Sequence, residues 1–165
     1  MKTTLLILVL AFIVLSCTDS GTSPEDRNFN VKLRYGISAR NELNTFQNTY
    51  TKDLILDGTV TVPFVLSDIE LQQIRNKMDE IGFVSYPDTF VAVTIDTIIQ
   101  TIEPHPTYDF EVKLNFSIKH LYWDDTIINQ NAQAIKLREL ISLIQTIIES
   151  KPEYTKLSPA RGAYQ

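Results

Sequence analysis

Cysteine is almost absent from this sequence of 165 residues, and Cys17 is the only one. A disulfide within the chain is therefore excluded, and so is a zinc site built from cysteine pairs. A single unmodified thiol is a liability in an oxidising compartment, where disulfides form and persist. If the chain is exported, we expect Cys17 to carry a modification.

Glycine and histidine are also scarce. The five glycines form neither a GxGxxG pattern nor a P-loop, and the nucleophile pattern GxSxG is missing. His105 lies in a predicted loop and His120 on a predicted strand, without the spacing of a zinc site. The neighbours Asp124 and Asp125 would point to opposite faces of an extended segment, which favours a turn over a shared acid–base pair. The sequence predicts no cofactor, no metal site and no catalytic residue.

Positive charge is in deficit, since 15 Lys and Arg residues face 20 Asp and Glu residues, for a net charge of −5. Removal of Lys2 with a leader segment would leave −6. A nucleic-acid backbone and an anionic lipid surface would both be repelled on average. Nucleic acid is therefore not an expected partner, and any membrane attachment needs a different force.

Apolar runs of membrane-spanning length are missing too. The longest, residues 5–15, follows the positive Lys2 and is well short of the about 20 residues that a spanning helix needs. This pattern is typical of a signal peptide. The sequence Val14-Leu15-Ser16-Cys17 resembles a bacterial lipobox, in which a small residue precedes the cysteine that receives the diacylglycerol. A general secretory signal with a chance cysteine in its cleavage zone is the alternative.

The lipobox resemblance implies a lipoprotein cleaved before Cys17 and held in the cell envelope by lipid. We predict a signal peptide over 1–16, a lipidated cysteine with a flexible polar linker over 17–28, and a single domain over 29–165. Thr18 differs from the Asp that retains enterobacterial lipoproteins in the inner membrane. The outer membrane is therefore the expected location in a cell that has two membranes.

Strand patterns dominate the first half of the domain. Alternation of apolar and polar residues predicts strands over 31–37 and 108–116, and β-rich composition predicts others over 42–56, 59–65, 90–95 and 120–123. Pro63 should place its strand at an edge of the sheet or end it early.

Two helices separate and follow these strands. Ser67 and Glu70 form the sequence pattern of a capping box, and Gly82 fits the left-handed end of the first helix. The second helix is predicted from about residue 133 to residue 150. Strands, helix, strands and helix in this order predict an α+β domain, with an antiparallel sheet and two helices packed on one face in two layers.

Aromatic residues are the remaining candidates for a functional surface. The possible interaction surface consists of Tyr35, Phe46, Tyr50, Tyr122 and Trp123. Tyr and Trp are enriched in binding interfaces. The alternative is that these rings cover the sheet beneath the helices.

Three functions stay open at this stage. The leading one is a non-enzymatic binding module, tethered to the membrane, whose partner is another envelope protein. The lipobox, the LSDIE helix start at residues 66–70 and the closing helix resemble small Bacteroidota-type lipoproteins of uncharacterised function. The element order is also similar to that of emfourin-type protease inhibitors, which makes protease inhibition an alternative. A hydrolase with dispersed catalytic residues is the other.

Overall fold

The computed structural model describes residues 28–94, 98–128 and 131–164, so the predicted signal peptide, Cys17 and most of the linker lie outside the described residues. The strands are β1 Phe29–Tyr35, β2 Asn41–Asn44, β3 Thr49–Asp53, β4 Thr59–Pro63, β5 Thr89–Phe90, β6 Thr107–Leu114 and β7 Ser117–Asp124. The helices are α1 Asp68–Ile81, α2 Ala132–Ser150 and the short α3 Pro152–Thr155, with a 3₁₀ turn over Phe83–Ser85.

All seven strands form one sheet in the order β4-β3-β2-β1-β6-β7-β5. Neighbouring strands are antiparallel except β5 and β7, which pair in parallel. β5 is separated from β7 by the long 91–106 segment and by β6, so no hairpin forces the two to run antiparallel. The predicted α+β class is confirmed, with one parallel pair at the edge.

The range 42–56 forms two strands instead of the single strand that its composition predicted. Asn44 ends β2, and its side-chain oxygen accepts a hydrogen bond from the Gln47 amide at 3.2 Å. Asn48 adopts the left-handed conformation with φ 52°. Asparagine tolerates both arrangements well, so residues 45–48 turn the chain back into β3.

Helix α1 follows its sequence signals at both ends. The Ser67 hydroxyl accepts from the Glu70 amide at 3.3 Å, and the Glu70 carboxylate accepts from the Ser67 amide at 2.7 Å. Gly82 ends the helix with φ 68°. The predicted capping box and glycine stop are therefore both confirmed.

One hydrophobic core joins the sheet to both helices. The inward face of β1 and β6 is apolar and buried, and it packs with the buried stripes of the helices. In α1 these residues are Leu71, Ile74, Met78 and Ile81, and in α2 they are Ala134, Leu137, Leu140, Ile141, Ile144, Ile147 and Ile148. The helices thus cover one face, which gives the predicted two layers.

The other face of the sheet is polar. Cross-strand contacts there include Lys32 with Glu111 at 3.7 Å and the hydroxyls of Thr51 and Thr61 at 2.8 Å. β4 is an edge strand and ends at Pro63, as the proline predicted. Among the described residues, no helix combines the length and apolar character needed to cross a membrane.

Candidate functional site

A cleft of about 200 Å³ opens at the C-terminal end of β7, beside the edge strand β5. It is lined by Thr89, Phe90, Val91, Ala92, Tyr122, Asp124, Thr126 and Ile127. We call it the edge cleft. Two of these residues, Tyr122 and Asp124, were singled out from the sequence alone.

Aromatic packing fixes the floor of the edge cleft. Phe90 is buried and meets the Trp123 ring edge-on, with 5.4 Å between the ring centroids. It also meets Tyr86 at 5.2 Å. Alternation along the extended chain then turns Ala92 inward and leaves Val91 exposed.

The far wall of the edge cleft comes from two paired segments. The Ile102 amide donates to the Thr126 carbonyl at 3.0 Å, and the Ile128 amide donates to the Gln100 carbonyl at 2.8 Å. Residues 100–102 are thereby held against residues 126–128. Because Thr126 and Ile127 line the cleft, the apolar 98–102 segment lies next to it.

Exposed apolar residues occur on the segments that line the edge cleft or pair with its wall. Seven residues with an exposed fraction between 43% and 73% form what we call the apolar rim: Val91, Val93, Ile98, Ile99, Ile102, Tyr122 and Ile128. Single exposed aliphatic residues are normal on protein surfaces. Several of them around one concavity are typical of an interaction site.

A charged cluster borders the same end of the sheet. His105 contacts Glu103 through Nδ1 at 3.1 Å and Asp124 through Nε2 at 2.9 Å. The Thr107 hydroxyl donates to the same Asp124 oxygen at 2.9 Å. Burial lowers the pKa of His105, but the hydrogen bonds and charges of Glu103 and Asp124 outweigh it and raise that pKa above its ordinary value of 6.5.

The carboxylates around His105 favour the protonated form of its ring. Both ring nitrogens of His105 already face carboxylates, which leaves neither nitrogen directed at the edge cleft. Across the described ranges, no group of three or more His, Cys, Asp and Glu side chains is placed to hold a metal ion. The carboxylates of Glu103 and Asp124 remain partly exposed, so they give this border of the cleft an acidic character.

The five aromatic candidates do not share one surface. Tyr122 lies on the apolar rim, whereas Trp123, the next residue, is fully buried and so does not lie on a surface. Tyr35 and Tyr50 are also buried, beneath the helices, and Phe46 is half-buried in the β2–β3 turn. Burial was the alternative interpretation of these rings, and it applies to three of the five.

Tyr35 and Tyr50 meet inside the core. Their hydroxyl oxygens are 2.7 Å apart. Burial raises the pKa of Tyr35 to about 12 and raises that of Tyr50 further. This pair therefore stays protonated at any physiological pH and serves packing.

A second concavity of about 270 Å³ lies beside the tyrosine pair, where the C-terminal segment crosses the sheet. Several of its polar side chains contact other groups of the protein. The Tyr164 hydroxyl donates to Asp53, whose other carboxylate oxygen accepts from the Ile55 amide at 3.0 Å. The Lys52 amino group lies 4.4 Å from the centre of the Tyr154 ring. These contacts hold the tail in place. We regard the edge cleft as the candidate site because exposed apolar residues and an acidic cluster lie beside it.

Sequence reasoning missed most of the apolar rim. The β-branched residues after Phe90 predicted a strand over 90–95, whereas β5 ends at Phe90. The available signal was an aliphatic stretch that continues past residue 95 to Ile102 without a hairpin partner in the sequence. Comparisons with protein-family models, curated proteins and solved structures found no match to the chain.

Proposed function

We propose that this chain is a lipid-tethered protein of the cell envelope whose domain binds another polypeptide at the edge cleft. The observation that carries the proposal is the apolar rim around a concave site at the edge of the sheet. Burial of such side chains by a partner is favourable by about 25 cal/mol for each Å² of apolar surface. The role is non-enzymatic binding.

The size of the edge cleft favours a polypeptide over a small molecule. Small-molecule sites commonly occupy about 300–1,000 Å³. The edge cleft has about 200 Å³, which suits one or two side chains of a partner. The surrounding rim would then cover the flanking residues of the same partner segment.

Charge narrows the chemistry of the partner. Glu103 and Asp124 make one border of the edge cleft acidic, and the whole chain carries −5. Opposite charge across an interface favours association and fixes its register. We therefore propose a partner segment with aliphatic side chains next to Lys or Arg.

The tether rests on the sequence alone. Val14-Leu15-Ser16-Cys17 has the small residue and the thiol that lipid attachment requires. Two or three acyl chains on one cysteine hold a protein stably at a bilayer, whereas a single chain binds only marginally. Attachment through Cys17 would keep the edge cleft near partners in the same envelope.

Synthetic peptides test the binding proposal. An extended peptide of alternating Ile and Lys should bind the full-length protein, and one of alternating Ser and Lys should not. Val91→Ser combined with Val93→Ser should weaken binding at least tenfold, since a tenfold loss needs only about 1.4 kcal/mol and each aliphatic side chain contributes about 1.5–3 kcal/mol when a partner buries it fully. Val65→Ser is the matched control, because Val65 is half-exposed outside the rim. The proposal would be overturned if the wild type, the double variant and Val65→Ser all bound the Ile–Lys peptide equally well.

Metabolic labelling tests the tether separately. Cells that express the chain are fed a labelled fatty acid, and the purified protein is examined for the label. We expect label on the wild type and none on Cys17→Ala. Label that persists in Cys17→Ala, or an unlabelled wild type, would show that Cys17 does not carry the lipid.

A further inference from the structure

The turn between β6 and β7 presents an aromatic ring to solvent. Leu114 and Ser117 are paired, so Asn115 and Phe116 alone connect the two strands. Asn115 takes the left-handed conformation with φ 55°, which asparagine tolerates better than most residues. Phe116 is fully exposed. A phenylalanine exposed in this way at the tip of a hairpin is available for contact with an apolar environment.

The chain enters the domain at the same tip. The Asn115 amide donates to the Asn28 carbonyl at 2.6 Å, and Phe29 pairs with Leu114. Residues 18–28 separate Cys17 from the first strand, and this number of residues spans at most about 35 Å. Any bilayer that holds a lipid on Cys17 is therefore within reach of Phe116.

A second apolar side chain extends the tip. Ile118 lies on the polar face of the sheet, opposite Lys113, and is half-exposed. Phe116 and Ile118 together form what we call the tip surface. The edge cleft lies at the other end of β7, about 25 Å away for a strand of eight residues.

We propose that the tip surface contacts the bilayer to which the domain is tethered, with the Phe116 ring in the interfacial layer. The proposal rests on the proposed lipid attachment of Cys17. The net charge of −6 after loss of Lys2 gives no overall attraction to anionic headgroups, so the contact depends on the apolar side chains of Phe116 and Ile118. Aliphatic and aromatic side chains of peripheral proteins insert to this depth.

Because the domain is tethered to the bilayer, a contact by only one or two side chains is sufficient to orient it. One or two side chains bind a bilayer weakly from free solution. A short linker turns that step into an intramolecular one, with an effective concentration in the millimolar range. The tip surface would then hold β6 and β7 upright, with the edge cleft directed away from the membrane.

Tryptophan quenching tests the contact. Lipidated Phe116→Trp protein is reconstituted into phosphatidylcholine vesicles that contain phosphatidylcholine brominated on its upper acyl carbons. We expect a blue shift of the new emission and loss of its intensity. Thr59→Trp is the matched control, since Thr59 is exposed at the opposite end of the sheet. The native Trp123 is fully buried and gives the same background in both proteins.

Different failures have different meanings. Equal emission from Phe116→Trp and Thr59→Trp in labelled, vesicle-bound protein would overturn the tip contact and leave the tether intact. Protein without fatty-acid label would overturn the tether, and the tip contact with it. Quenching of Phe116→Trp that disappears in Cys17→Ala supports both.

Discussion

Among single residues, Asp125 stands out because its carboxylate is almost fully buried. Arg138 meets it with two hydrogen bonds of 2.8 Å, one to each oxygen, and also lies over the Trp123 ring. Removal of one partner of a buried pair leaves a charge in a poorly solvated place, which costs about 3–5 kcal/mol. We therefore expect Arg138→Ala to lower the free energy of unfolding by about 3 kcal/mol in urea denaturation.

Arg161→Ala provides the comparison for that measurement. Arg161 and Asp57 form a pair of the same two-pronged type, but both side chains are exposed to solvent. Exposed pairs contribute far less to stability than buried ones, because water and salt screen their attraction. Similar losses in the two variants would contradict the assignment of Asp125 as a structurally required charge.

His105 predicts a pH dependence of stability. Its pKa in the folded protein lies above the ordinary 6.5, because Glu103 and Asp124 outweigh the effect of burial. Because the pKa of His105 is higher in the folded than in the unfolded protein, protonation of the ring stabilises the fold. This stabilisation is fully present at pH values below the pKa of the unfolded protein. This stabilisation is lost as the pH rises through the folded pKa. The loss should be less than about 1 kcal/mol, as for other exposed pairs.

Denaturation at a series of pH values measures this effect. The wild type should lose stability above pH 6.5, and His105→Gln should show a flatter profile over the same range. His120→Gln is the control, because it removes the other histidine of the chain and leaves the cluster intact. A wild-type profile retained in His105→Gln would assign the pH dependence to other groups.

Single residues also show where sequence reasoning has a limit. Tyr122 and Trp123 are adjacent aromatic residues on β7, so one of them must face the core and the other the solvent. A shift of one residue in register exchanges them. Pairing of Phe110 with Leu121 fixes the choice, and that pairing depends on where the β6–β7 turn falls.

Helix α1 allows a prediction at the scale of elements. The Ser67 hydroxyl satisfies an amide of the first turn that has no partner within the helix. We expect Ser67→Ala to lower the free energy of unfolding by about 1 kcal/mol, measured by urea denaturation. Ser142→Ala in the exposed middle of α2 should be neutral or slightly stabilising, because alanine has the higher helix propensity. A neutral Ser67→Ala would contradict the role of the cap.

Glu70 connects this cap to the other helix. Its carboxylate also accepts two hydrogen bonds from Lys151, at 3.0 and 2.8 Å, and Lys151 caps the C-terminus of α2. The residue thus joins the start of α1 to the end of α2. The capping box was visible in the sequence, whereas Lys151 is 81 residues away and becomes a neighbour only after folding.

Elements with strong local signals were predictable, and those defined by pairing were not. In α1, α2 and β6 the apolar residues repeat regularly over the whole element, so the pattern alone identifies these three. The four-residue α3 has no such repeat and was not predicted. β2 and β3 are short, and their turn depends on the side-chain bond of Asn44. β5 has two residues and is held by its parallel pairing with β7. The sequence pattern of a short strand carries little information about which strand it pairs with.

At the scale of the whole molecule, the two proposed surfaces lie at opposite ends of the same hairpin. Phe116 lies at the turn between β6 and β7, and Asp124 at the far end of β7 borders the edge cleft. A rigid hairpin of this length keeps the two surfaces about 25 Å apart. Tethering at one end and binding at the other then requires that the sheet does not bend or open between them.

Such rigidity depends on one continuous core. The buried cluster extends from Trp123, at one side of the sheet, to Tyr50 at the other, and Ile144 of α2 is fully buried within it. A single core of this size should unfold in one cooperative transition. Trp123 fluorescence and the near-ultraviolet circular dichroism of the tyrosines should therefore give the same urea midpoint.

Ile144→Ala tests this directly. The cavity should lower the free energy of unfolding by about 2–5 kcal/mol and shift both midpoints together. Ile135→Ala, on the exposed side of the same helix, should change either midpoint by no more than about 0.5 kcal/mol. If Trp123 and the tyrosines report different midpoints in Ile144→Ala, the sheet consists of two units that unfold separately. The tip surface would then not fix the orientation of the edge cleft.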